Sequence, residues 1–158
     1  MKLLDIVVEK AIIPDLKAET RDAAIGEILD ALIAAGALDE DHRDEFNKAI
    51  IKRENRGSTG FGHGVAVPHV KHDAINEMAV AVAVSKEGVE FNALDRAPVY
   101  SIFLLLSPEA RPEDHLNAME AIFNNLSQEK FRRFLRQARN VEDVVTLLEE
   151  TDAQTTAR

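Results

Sequence analysis

The stretch RENRGSTGFGHGVAVPHVKH, running from Arg53 to His72, places four glycines, one proline and three histidines within twenty residues. Glycines at 57, 60, 62 and 64 let the backbone take positive φ and let another group come close to the main chain. Successive exposed N–H groups in such a loop form a concavity suited to an anion. Val65-Ala66-Val67 then reads as a short buried strand, and Pro68, which has no N–H, stops it from donating further to a ladder. This puts His69 where the strand ends, beside the glycine loop. A nucleophile next to an anion cradle is the simplest functional reading, and a structural histidine beside an ordinary glycine turn is its alternative. The string is not a dinucleotide fingerprint, which needs a strand before the glycines and a helix after them, and it lacks the Lys-Ser/Thr of a P-loop.

Upstream, Thr20 suits an N-cap, and Ile25, Ile28, Leu29, Leu32 and Ile33 fall on one helical face until Gly36 ends it. A second helix is expected from Asp39 or Asp41, carrying Phe46, Ala49 and Ile50 inward. Arg53 follows on that face at the helix's C-terminal end, where a cation also complements the helix dipole. Ala11 to Leu16 reads as a short edge strand because Pro14 forbids a full central ladder.

Downstream, Met78, Val80, Val82 and Val84 alternate with Ala79, Ala81, Ala83 and Ser85, a strand with one bulky face and one small face. The continuous apolar run Val99 to Leu106 has strand length and predicts a central strand buried on both faces, ended by Ser107-Pro108. Pro112 suits the first turn of a helix, with Glu113 and Asp114 near its positive end. His115, Met119, Ile122 and Leu126 share a stripe on it, with Leu116 and Phe123 alongside, so His115 points inward. Phe131, Phe134 and Leu135 mark a further short helix, and Asn140 caps a last one carrying Val141, Val144, Val145 and Leu148. Residues 152–158, DAQTTAR, read as a flexible tail.

The length of 158 residues fits one domain with a real core. No apolar run reaches eighteen residues and the start has no charged-then-apolar leader, so neither membrane insertion nor a signal peptide is expected. Cysteine is absent, which excludes disulfides, thiolate zinc sites and a cysteine nucleophile and fits a cytoplasmic setting. A net charge of −9 argues against general nucleic-acid binding. Any attraction for an anion must therefore come from a local basic patch, which Arg53, Arg56 and Lys71 could supply around the loop. Mixed helices and strands without repeats or linkers predict a three-layer α/β/α domain with a small mixed sheet.

The segment S-T-G-F-G-H-G-V-A-V-P-H, residues 58–69, resembles the phosphorylation-site signature of the enzyme IIA domains of the bacterial phosphotransferase system, fructose/mannitol type. That group includes the nitrogen-regulatory enzyme IIA proteins. The resemblance covers nearly the whole chain, with residues 1–151 as the domain, and it implies the same α/β/α architecture. It makes His69, in Ala66-Val67-Pro68-His69, the carrier of the phosphoryl group. Arg53, sixteen residues upstream, and His115, in Asp114-His115-Leu116, match the family's other two site positions. Val70 departs from the small residue common there, and His63 occupies a variable position. The implied donor is the small histidine phosphocarrier protein, and the implied acceptor is an enzyme IIB domain or a regulated target protein.

A phosphoryl relay needs a neutral imidazole nucleophile and positioned charge around the transferred group. Expected phosphoryl binders are Ser58, Thr59 and the backbone at Gly60, Gly62 and Gly64, with Arg53 supplying a planar fork and His115 orienting His69 or donating to the phosphoryl oxygen. No metal or cofactor is required. Two other classes compete with an active phosphocarrier. One is a binding module whose target contacts depend on phosphorylation of His69. The other is a metal hydrolase using His63, His69, His72 and His115, although no ligand spacing such as H-E-x-x-H is present.

Overall fold

The computed structural model describes residues 1–157, with side chains described through residue 154. Among these residues the elements run α1 (Arg21–Ala34), α2 (Arg43–Arg56), β1 (Val65–Ala66), β2 (His69–His72), β3 (Ala79–Val89), β4 (Val99–Pro108), α3 (Pro112–Leu126), α4 (Glu129–Gln137) and α5 (Val141–Ala157).

β4 is the organising strand. It pairs antiparallel with β3 on one side and parallel with β1 and then β2 on the other, so the sheet is small and mixed. Ile102 to Leu106 are all essentially inaccessible, as a strand covered on both faces requires. Pro68 interrupts this edge without ending it. The Leu105 amide donates to the Pro68 carbonyl at 2.9 Å, so the chain resumes the ladder and His69 opens β2 instead of closing a strand. A proline removes only a donor, and here its carbonyl still serves the sheet.

The alternation in β3 separates the two faces. Ala79, Ala81 and Ala83 face the cluster built from Ile25, Ile28, Leu29 and Leu32 of α1 and from Phe46 and Ile50 of α2. Val80, Val82 and Val84 face Ile122 and Leu126 of α3, Leu135 of α4 and Val144 and Leu148 of α5. The result is three layers, with small side chains on the side where α1 approaches. α1 begins as expected, with the Thr20 hydroxyl accepting from the Ala23 amide. It ends in Gly36 at φ +78, with the Ala37 amide bonded to Leu32 and the Gly36 amide to Ile33, a C-terminal motif that a glycine at positive φ makes accessible.

Four expectations change. Residues 11–16 form no continuous strand. A 3-10 turn at Glu9–Ala11 and single bridges from Val7 and Ile13 to β3 follow its outer edge instead. Leu116 and Phe134 are exposed at 67% and 43%, so neither belongs to the buried stripe of its helix. Ser107 and Pro108 lie within β4 rather than after it.

The fourth change is at the C-terminus. α5 continues through Ala157, past the boundary drawn at 152, and Arg158 lies outside the described residues. Within it Asp152 is buried at 6%. Its two carboxylate oxygens accept from the Leu3 amide at 2.8 Å and the Leu4 amide at 3.0 Å. Replacing it strands one buried and one partly buried donor at the start of a 3-10 turn. Asp152→Ala should therefore lose about 1–3 kcal/mol in urea unfolding, and an unchanged midpoint would show the clamp to be dispensable.

Candidate functional site

His69 is half-buried at the start of β2, opposite Leu105 of β4. Alternation along the strand sends Val70 and His72 toward α2, and His69 and Lys71 toward the opposite face. The Nδ1 of His69 lies 2.9 Å from the carbonyl oxygen of Val67. A carbonyl only accepts, so Nδ1 carries the hydrogen and Nε2 keeps its lone pair.

His115 enters from the first turn of α3, buried at 6%. Its ring centroid is 5.5 Å from that of His69, with the planes tilted by 52°. Its Nδ1 is 2.7 Å from the hydroxyl of Ser107, itself fully buried in β4. Ser107 was read from the sequence as a strand terminator. Its position two residues beyond Leu105, on the same face, is the signal that places it beside the His69 side of the sheet.

Both imidazoles are held neutral. Burial pushes the His69 pKa down, and Arg53 and Lys71 add to this, while the Val67 carbonyl and Glu54 oppose it. His115 is pushed down to about 4, first by burial and then by the charges of His69 and Lys71.

Arg53 is half-buried at the end of α2, and its Nη1 donates to the Gly57 carbonyl at 2.9 Å. The buried stripe of α2 runs Phe46, Ile50, Glu54, so Arg53 stands at its edge and the adjacent glutamate takes the inward place. Spacing from Ile50 carried this signal, since i to i+4 is the same face.

In the glycine loop two of the expected cradle amides already have partners within the chain. The Thr59 amide is taken by Glu54 Oε1 at 3.1 Å, and the Gly60 amide by the Ser58 hydroxyl at 3.0 Å. These two N–H groups are engaged within the loop, because a short side-chain acceptor close in sequence competes for local donors. A Cβ at Gly60 would meet the Ala93 Cβ at 3.0 Å, and one at Gly64, which has φ +74, would meet the Tyr100 ring at 3.1 Å. Gly62 has φ +119 and lies against Asp95. Gly60 and Gly64 thus let the loop pack on residues 93–100, while Gly62 is favoured by its positive φ. Phe61 holds the loop to α3 by packing on Phe123 at 4.9 Å between centroids.

The histidines do not form one cluster. His72 packs on Phe46, with Nε2 2.7 Å from Glu45, and His63 is exposed. Among the described residues no group of three His, Asp or Glu side chains is arranged to hold a metal ion, and no helix is long and apolar enough to cross a membrane.

A neutral histidine at a sheet edge, its ring tilted against a second neutral histidine on a three-layer α/β/α scaffold, characterises the site. Residues 5–151 match the family described as "Phosphoenolpyruvate-dependent sugar phosphotransferase system, EIIA 2". The chain belongs to this family of phosphotransfer proteins. It is 37% identical over 131 residues to a "PTS system fructose-specific EIIA component" of Haloferax volcanii, covering 83% of this chain and 84% of that one. It is 32% identical over 148 residues to a "Nitrogen regulatory protein" of Bradyrhizobium diazoefficiens, covering 94% of this chain and 95% of the other. The crystal structure of the nitrogen regulatory protein IIA-Ntr from Neisseria meningitidis superposes with a TM-score of 0.82 at 29% identity, covering 91% of this chain and 97% of that one.

The depressed basicity of His115 has a consequence for stability. Its folded pKa of about 4 lies below the ordinary 6.5, so between these values the unfolded chain binds more protons. Stability from the neutral ring is fully present above pH 6.5 and is lost as pH falls toward 4. Urea midpoints measured across this window should fall more steeply for the native chain than for His115→Asn, which retains an amide for Ser107. Parallel pH profiles would refute the assignment.

Proposed function

We propose that this protein carries a phosphoryl group on Nε2 of His69 and passes it on. The observation that carries this reading is the Val67 carbonyl on Nδ1, which leaves Nε2 as the nucleophilic nitrogen. The depressed pKa of His69 keeps that lone pair free near neutral pH. In the forward step Nε2 attacks the phosphorus of a donor phosphohistidine. The new P–N bond forms as the donor's breaks, and the donor imidazole leaves with the electron pair. No proton leaves Nδ1, so the bond to Val67 persists throughout. Onward transfer is the same exchange with the acceptor's nucleophile.

The transition state spreads charge over three equatorial oxygens, and the protein's task is to position and neutralise them. Arg53 and Lys71 are the nearby cations, and Arg53 gives up only a neutral carbonyl bond to Gly57 to present its fork. The first turn of α3, which supplies His115, adds a positive helix end. The Ser58 hydroxyl remains available as a donor, whereas the buried Thr59 hydroxyl and the backbone of residues 59 and 60 would serve only after the loop shifts.

The donor is a histidine phosphocarrier protein, and the acceptor is an enzyme IIB domain or a regulated target, in a cytoplasmic setting. Similarity to nitrogen regulatory proteins as well as to a fructose-specific component favours a second use, in which phosphorylation of His69 switches contacts with a target.

Incubation with the phosphoenolpyruvate-driven donor system should add one acid-labile phosphoryl group by intact-mass spectrometry, and His69→Ala should add none. Phosphorylation of His69→Ala at the native level would sink the proposal. Arg53→Lys should fold normally yet accept phosphate on the order of a hundredfold more slowly, because an ammonium does not reproduce the bidentate fork. Native rates in that variant would reduce Arg53 to a helix-end charge.

A further inference from the structure

His63 has no part in the transfer chemistry described so far. It takes φ +59, a left-handed conformation uncommon for a residue with a Cβ, although histidine is among those enriched there. Its exposed side chain lines a cavity of about 480 Å³, bordered on the other side by Glu129, Arg132, Arg133, Arg136 and Gln137 of α4.

The arginines at this cavity lack acidic partners. α4 carries four cations, Lys130, Arg132, Arg133 and Arg136, against the single acid Glu129, in a chain whose formal charge is −9. Glu129 stands three and four residues before Arg132 and Arg133, the spacing at which helix ion pairs form. Yet among the described residues no ion pair includes any of the three arginines. Two of them are fixed by other means. Arg132 Nη1 donates to the Leu126 carbonyl at 2.8 Å, and the Arg136 guanidinium lies over the Tyr100 ring at 3.6 Å. Stacking on a ring orients the guanidinium plane, whose edge is the fork that takes a phosphate in two parallel bonds. Arg132 and Arg136 are also four residues apart, where like charges destabilise a helix. An anion seated between them turns that repulsion into attraction.

We propose that this cavity binds a small soluble molecule bearing more than one phosphate group, such as a nucleoside diphosphate, with the three arginines on its phosphates and His63 donating from the loop. A concavity of this volume suits a small organic ligand. Three guanidinium forks and an imidazole, which has an N–H in either charge state, outnumber the single carboxylate of Glu129. The site is independent of phosphoryl transfer at His69. Tyr100, beneath Arg136, and Leu105, opposite His69, are five residues apart along β4, roughly 16 Å. His63 nevertheless belongs to the loop that joins Arg53 to His69, so an occupant ties α4 to that loop.

Titration of the full chain with inorganic pyrophosphate, without divalent metal, should show saturable binding by isothermal calorimetry. Arg136→Gln should weaken it by about tenfold, and Arg132→Gln combined with Arg133→Gln by about a hundredfold. Arg133→Gln alone, on the exposed face of the helix, supplies the measurement if Arg136→Gln, which also loses the Tyr100 stack, folds poorly. Replacing all three arginines with lysine keeps every charge but removes the forks, and native affinity in that variant would reduce the site to diffuse attraction and overturn it. Arg53→Gln should bind pyrophosphate as the native chain does. Binding lost in Arg53→Gln and kept in the α4 variants would place the anion beside His69 and overturn the proposal, as would a native chain that binds no pyrophosphate. Vesicles of phosphatidylglycerol distinguish a lipid headgroup from a soluble ligand. The native chain should stay in the supernatant, and sedimentation abolished by Arg133→Gln would assign the arginines to a membrane surface instead.

Discussion

The bond from the Leu105 amide to the Pro68 carbonyl sets the position of everything at the site. A proline in a strand removes one donor from the ladder, and the usual outcome is an edge or an end. Here the neighbouring strand supplies the donor, so the backbone passes through the proline and re-enters the sheet with His69 opposite Leu105. That register fixes which face the imidazole takes. It also sets the Val67 carbonyl two residues back, within 2.9 Å of Nδ1. The nitrogen that keeps its lone pair is thus chosen by backbone geometry, without a carboxylate partner on the ring.

Burial decides the charge state of the paired rings. Desolvation is the leading cause of the lowered pKa at both His69 and His115, ahead of any charged neighbour. Two imidazoles 5.5 Å apart coexist because neither needs to be protonated. If one were, the other would be pushed further toward neutrality, as the influence of His69 on His115 indicates. The Ser107 hydroxyl suits such a partner, since it donates or accepts as the neutral ring demands.

Much of this architecture was legible from side-chain periodicity. The alanine and valine faces of β3 announced two unequal layers, and the apolar run in β4 announced a strand covered on both sides. The inward direction of His115 followed from helical spacing. What stayed hidden depended on partners distant in sequence. Asp152 reads as an ordinary polar residue near a chain end until the amides of Leu3 and Leu4 are brought to it. Glu54 reads as a solvated charge until the α2 stripe turns it inward. Leu116 looked apolar enough to belong to the core, yet it is one residue off the buried stripe and faces outward.

The glycines show how one residue type answers two different demands. Read alone, their spacing suggests exposed amides collecting an anion. In the fold, the amides of residues 59 and 60 are engaged within the loop, and added Cβ atoms at Gly60 and Gly64 would crowd Ala93 and Tyr100. Gly60 and Gly64 are small because residues 93–100 lie against them. Gly64 lies near the β1 end of the edge and His69 in β2, roughly 15 Å apart for extended chain. Close packing there anchors the loop at both ends, through Gly64 to β4 and through Glu54 to α2. Arg53 then stands at a fixed point beside β2 while its own fork stays free to turn from a neutral carbonyl to a charged group. The rigidity lies in the loop and the freedom in the arginine, a division of labour that would suit the phosphoryl transfer proposed above.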